Sequence, residues 1–115
     1  MTAPHEATEA ADDVLDAFLG EHGDELIAFR RRLHAHPELS WQEHETTAAV
    51  RDRLEVAGIT TAALTTETGL QADLGGGTGP TILLRADLDA LPMADEKEVP
   101  YRSTVPGVCH ACGHA

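Results

Sequence analysis

The chain has 115 residues, with 8 basic and 20 acidic side chains and a formal net charge of −12. That balance argues against nucleic acid or an anionic membrane as a partner, and the length allows at most one small domain. Hydrophobic residues make up 42% and aromatics only 3%, so a core would rest on Ala, Val, Leu and Ile, with few large anchoring rings.

The opening MTAPHEATEA is polar and acidic, without the basic start and apolar run of a secretory leader, and no stretch approaches a membrane span. The cytoplasm is therefore the expected compartment, where two cysteines read as thiols or metal ligands rather than a disulfide. Residues 1–10 are expected to be disordered, and residues 11–115 to form the folded part.

Leu15, Phe18, Leu19, Leu26, Phe29 and Leu33 recur at helical spacing, which predicts a helix from about residue 11 up to Pro37. Gly20 and Gly23 are expected to break it into two pieces, and Pro37 to end it. SWQE then offers Ser40 as N-cap with Glu43 three positions later. A second helix should follow through HETTAAVRDRLEVAG, burying Thr47, Val50, Leu54 and Ala57, with Gly58 as its left-handed stop.

Beyond Gly58 the pattern changes. TTAALTT, GLQADLG and PTILLRADL are short, β-prone and bounded by glycine, and GGGTGP between the last two reads as a turn. A β-hairpin pairing GLQADL with TILLRA is expected. GGGTGP precedes a strand and lacks Lys followed by Ser or Thr, so it is no phosphate loop. LPMADEKEVPYRSTVPGV, with three prolines, should be a long irregular loop. Two helices, a hairpin and a long loop suit the opening of an α/β domain better than a finished fold.

Three clusters carry potential chemistry. In GVCHACGHA, Cys109, His110, Cys112 and His114 crowd together; thiolate and imidazole are favoured ligands of zinc and related ions. The cluster is open to four readings: a structural zinc knuckle drawing on His34 and His36, a redox CxxC, incidental thiols in a loop, or a catalytic metal site completed from elsewhere. In LLRADLDALP an apolar run delivers Arg85, Asp87 and Asp89, either as carboxylates that orient a metal or as a buried Arg–Asp pair. His34 and His36 before Pro37 suit a structural role at a helix C-terminus.

Taken in order, RRLHAHPELSWQEHETTAAVRDRLEVAGI, TGLQADLGG, LLRADLDALPM and GVCHACGH resemble the N-terminal part of metal-dependent amidohydrolases of the aminoacylase/carboxypeptidase family. The resembling branch includes hippurate hydrolase, auxin-conjugate hydrolase and N-acetyldiaminopimelate deacetylase. The resemblance, spanning Leu26 to His114, implies an α/β zinc-peptidase-like catalytic domain, of which residues 11–115 are the N-terminal portion. It implies hydrolysis of N-acyl-amino acids by water activated between two divalent ions, zinc or manganese, with cobalt or nickel as alternatives.

Cys112 and His114 map onto metal ligands, Cys112 replacing a bridging Asp of other branches. Asp87 maps onto the acid supporting the site, and Arg85 onto a position where other branches have a ligating His. The resemblance also implies a homodimer for full-length relatives and a small N-acyl-amino acid or peptide-like substrate. Relatives carry Asp after the HACGH motif, where this sequence has Ala115, and often Met where it has Cys109. The general-base Glu and further ligands of relatives lie beyond that point, so the chain alone is expected to be inactive. The rival reading is a stand-alone metal-binding or interaction module without enzymatic activity.

Overall fold

The computed structural model describes residues 4–113, which fall into two units divided between Arg32 and Leu33. The first unit is almost wholly helix. Helix α1 runs Pro4–Ala35, so it starts inside the segment expected to be disordered. Local propensity accounts for this, because the stretch is rich in Ala and Glu, and Glu6 in the first turn complements the helix dipole. Gly20 and Gly23 do not interrupt it. The cost of a glycine within a helix, about 1 kcal/mol, is small against 32 residues of continuous hydrogen bonding.

In the second unit the last turn of α1 closes with His36 N donating to Leu33 O at 3.3 Å, and Pro37 follows, buried, as the terminator. A turn leads on, closed by Gln42 N to Leu39 O at 3.0 Å. Trp41 sits in it at φ 67°, a left-handed geometry that costs a non-glycine residue about 1–2 kcal/mol. Its amide donates to Glu43 Oε1 at 3.0 Å, one of the bonds that hold it there.

Helix α2 spans His44–Val56. The expected capping box does not form: Glu43 is the N-cap residue and makes no side-chain cap bond. Ser40 Oγ instead donates to Asp89 Oδ2 at 2.6 Å. The capping task falls to Glu38, whose carboxylate accepts from Glu45 N at 3.2 Å and from Thr46 N and Thr46 Oγ1 at 2.6 Å each. These are the second and third amides of the helix, the ones a helix start leaves unsatisfied. Thr46, not Thr47, is the fully buried residue of α2; Thr47, Val50 and Leu54 are half-buried and Ala57 is exposed.

The helix ends as expected. Gly58 takes φ 79°, Gly58 N donates to Glu55 O at 2.9 Å and Ile59 N to Leu54 O at 3.0 Å, a Schellman closure.

A two-stranded antiparallel sheet follows: β1 Ala62–Ala63 against β2 Leu70–Gln71, with Ala62 opposite Gln71 and Ala63 opposite Leu70. The hairpin after two helices is present, but GLQADL pairs backwards with TTAAL rather than forwards with TILLRA. Leu64 to Glu67 makes a turn that returns the chain at short range, and a shorter loop costs less entropy to close. Thr81–Arg85 pairs with nothing among the described strands, and Ile82, Leu83 and Leu84 are 87%, 86% and 93% exposed. A continuous apolar run of this kind becomes a strand when both its faces are covered.

Gly69 closes the hairpin at φ 78°, its amide donating to Thr47 Oγ1 at 2.9 Å. A Cβ there would come within 3.1 Å of Leu64 Cδ1. Gly69→Ala is expected to lower stability by about 1–2 kcal/mol, read as a lower urea midpoint.

Residues 91–108 form the expected irregular loop, tied at both feet. Ala90 N donates to Glu38 O at 2.8 Å, while Leu91 and Cys109 exchange backbone bonds of 2.9 and 3.1 Å. Buried residues here are polar more often than apolar: His34, Glu43, Thr46, Thr68 and Asp95 against Pro37, Ala90 and Cys109. Hydrogen bonds, rather than a large apolar core, therefore set the geometry of this unit. No described helix is long and apolar enough to cross a membrane.

Candidate metal centre

The cysteine segment enters the site from a fixed point. Cys109 is buried at 4% exposure and its backbone is bridged to Leu91. Three residues on, Cys112 is exposed, and neither sulfur is in a disulfide. His110, between them, is half-buried, with its ring 6.3 Å from that of His34. His114 lies outside the described residues.

Asp87 is half-buried and accepts from the Arg85 guanidinium at 2.8 Å. Arg85 itself is 79% exposed, so this is a surface ion pair rather than the buried one that the sequence also allowed. Asp89 is occupied by Ser40, which ties the Leu39–Gln42 turn to the residues beside Asp87.

His34 is not arranged as a metal ligand. Its Nε2 meets Asp95 Oδ2 at 2.9 Å, with both side chains buried. Asp95 also accepts from Ser103 N at 3.0 Å and Lys97 N at 3.1 Å. The Ser103 amide and the His34 ring outweigh burial, and with the Lys97 amide they hold the Asp95 carboxyl far below the usual carboxylate range. An ionised carboxylate only accepts, so Nε2 carries the proton. Tyr101 stands edge-on to the His34 ring at 5.8 Å. His36, the other imagined knuckle ligand, has Nδ1 3.4 Å from Thr104 Oγ1.

Thr104 also caps the end of α1. Its amide and hydroxyl donate to Ala35 O at 2.9 and 2.7 Å, satisfying a carbonyl that the helix leaves open. Asp95, Ser103 and Thr104 were not legible as site-building residues. Their partners lie far away in sequence, and MADEKEVP carries no periodicity or spacing that marks them.

Thiol chemistry suits a soft or borderline divalent ion, and Cys112 is exposed. Among the described residues, no three His, Cys, Asp or Glu side chains gather closely enough to hold an ion. The described residues therefore form no complete cage by themselves.

Two helices, a short hairpin and a tethered loop ending in a Cys–His segment are the opening elements of a metallopeptidase-type α/β domain. The model of Peptidase family M20/M25/M40 matches residues 83–115, the stretch holding Arg85, Asp87, Cys112 and His114. A dinuclear metal-binding peptidase of the M20 family, the Bacillus subtilis YXEP protein, matches in structure with a TM-score of 0.74 and 46% identity. That match covers 79% of this chain and 26% of the solved one. The N-acetyl-L-cysteine deacetylase of Bacillus subtilis is 47% identical over 91 residues, 78% of this chain and 22% of that protein. A Rhodococcus jostii protein bearing the name glutamate–cysteine ligase 2-3 is 54% identical over 89 residues, 77% of this chain but 11% of its own length. Over residues 83–115 the chain is similar to the M20/M25/M40 peptidase family, and over most of its length to an M20 peptidase of known structure. It spans about a quarter or less of the length of these relatives.

Proposed function

We propose that this chain carries part of a two-metal site that hydrolyses the amide bond of N-acyl-amino acids, with Cys112 and His114 among its ligands and Asp87 as a supporting carboxylate. The observation that carries the reading is an exposed thiol on a tethered segment, within residues matched by the M20 family. When bound, a pair of divalent ions would polarise the amide carbonyl and make hydroxide available near neutral pH.

The chain's own residues have narrower tasks. Cys112 supplies a soft anionic donor that suits zinc, with manganese, cobalt or nickel as alternatives. His114 supplies a neutral nitrogen. Asp87, steadied by Arg85, offers an acceptor of the kind that orients a ligating imidazole. The general base is not assigned to any of the 115 residues. Two ligands hold an ion weakly, so the chain by itself is expected to show little turnover. The proposed substrate class is small N-acetyl- or N-benzoyl-amino acids, the setting cytoplasmic, and the complete enzyme a homodimer.

Cobalt titration tests this reading. The wild-type chain at saturating Co²⁺ should develop a thiolate-to-cobalt absorption band that Cys112→Ser loses. A wild-type chain without that band would overturn the ligand assignment. Tight stoichiometric Zn²⁺ uptake with a melting temperature that rises with metal would favour a stand-alone binding module instead. Hydrolysis of N-acetyl-amino acids is assayed alongside with added Zn²⁺ or Mn²⁺, and robust turnover by the 115 residues would refute the expectation of a weak site.

A further inference from the structure

The Leu33–Gly113 part of the chain contains one buried charged hub, and it leads directly to the cysteine segment. Asp95 gathers two amides of its own loop, Lys97 N and Ser103 N, and receives His34 from the end of α1, 61 residues away. Ser103 passes the restraint on, because its hydroxyl donates to Val108 O at 2.7 Å. Val108 adjoins Cys109, whose N and O are both held by Leu91. The His34 ring, fixed by Asp95, also packs near the His110 ring. Two routes from one pair thus converge on residues 108–110, immediately before Cys112.

We propose that His34 and Asp95 are positioning residues for Cys112: their buried pair fixes residues 108–110 and so sets where the Cys112 thiol faces. The consequence for metal binding rests on the reading of Cys112 as a ligand; the consequence for the segment's geometry does not.

A carboxylate suits this place because it accepts several bonds at once, and buried polar networks set a unique geometry when every member is satisfied. Removing the His34 ring takes away a charge-assisted bond and one wall of the His110 site. Cys109, buried within the held segment, is the internal reporter.

The test is alkylation of the 115-residue chain by iodoacetamide, resolved by mass spectrometry at each cysteine, with cobalt absorption measured in parallel. In the wild type Cys112 should label quickly and Cys109 slowly. His34→Leu should raise Cys109 labelling at least tenfold and weaken the cobalt band. His34→Gln places an amide N–H where Nε2 stood and should restore both. If His34→Leu loses its helical signal, Asp95→Asn decides: it keeps one side-chain oxygen, enough for only one of the two loop amides, and loses the charge. Cys109 protection that persists in His34→Leu or, failing that, in Asp95→Asn overturns the proposal. So does failure of His34→Gln to restore what a folded His34→Leu loses. A wild type that protects Cys109 but shows no cobalt band overturns only the ligand reading, because the labelling test stands without metal.

Discussion

Acidification should unfold the Leu33–Gly113 part of this chain more steeply than its surface charges alone would predict, and Asp95→Ala should remove much of that steepness. The reason is linkage. The Asp95 carboxyl is held far below its usual range by Ser103 N, His34 and Lys97 N. A group depressed in the folded state contributes stability that is fully present above its unfolded value, about pH 4, and is lost as pH falls through the folded value. Glu38 acts in the same direction. Burial works against its ionisation, but the bonds from Thr46 and Glu45 outweigh it and keep its carboxyl below the usual value.

The melting temperature, followed by far-UV circular dichroism, should therefore be nearly flat from neutral pH to about 5 and fall progressively below about 4. Asp95→Ala should melt lower at pH 7, by on the order of 10 °C. It should also show an acid limb shallower by about one proton. A variant with the wild-type acid limb would mean that the carboxylate is not holding the loop.

The second large effect belongs to Glu38. This residue caps α2 from outside the helix, satisfying the amides of Glu45 and Thr46 and the Thr46 hydroxyl. Its own carbonyl meanwhile receives Ala90 N. Glu38→Ala leaves the backbone bond but removes all three side-chain bonds, and Thr46, 3% exposed, has little water to turn to. Loss of a cap costs about 1–2 kcal/mol and an unsatisfied buried donor adds to it, so a decrease of about 2–3 kcal/mol is expected. Equilibrium urea unfolding measures it as a lower midpoint with an unchanged slope. Glu38→Gln, which keeps one acceptor oxygen, should recover part of the loss. Ser40→Ala should leave the start of α2 intact, because Ser40 is bonded to Asp89 and not to the helix.

What could be read from the residues alone was what short-range chemistry settles. The apolar spacing of Leu15 to Leu33 marked α1, Pro37 marked its limit, and Gly58 marked the stop of α2. Each depends on neighbours within a few positions, and backbone geometry there is nearly independent of the rest of the molecule. The cluster of thiols and imidazoles from Cys109 to His114 also stood out, since such close spacing is unusual in a chain with two cysteines, while its assignment to a metal rests on the proposed function.

Tertiary structure alone decided the partners. His34 could have been a ligand or a structural residue at the helix end, and its place follows from meeting Asp95 across 61 residues. Ser40 had the right residue type and spacing for a cap, yet it was drawn to Asp89 across 49 residues. That left the task to Glu38. GLQADL had two candidate partners of similar β propensity and joined the one reached by the shorter turn. In each case several pairings satisfied the local rules, and loop closure, burial and competition for the same donors selected among them. Those quantities depend on where distant segments come to rest, and no window of neighbouring residues contains them.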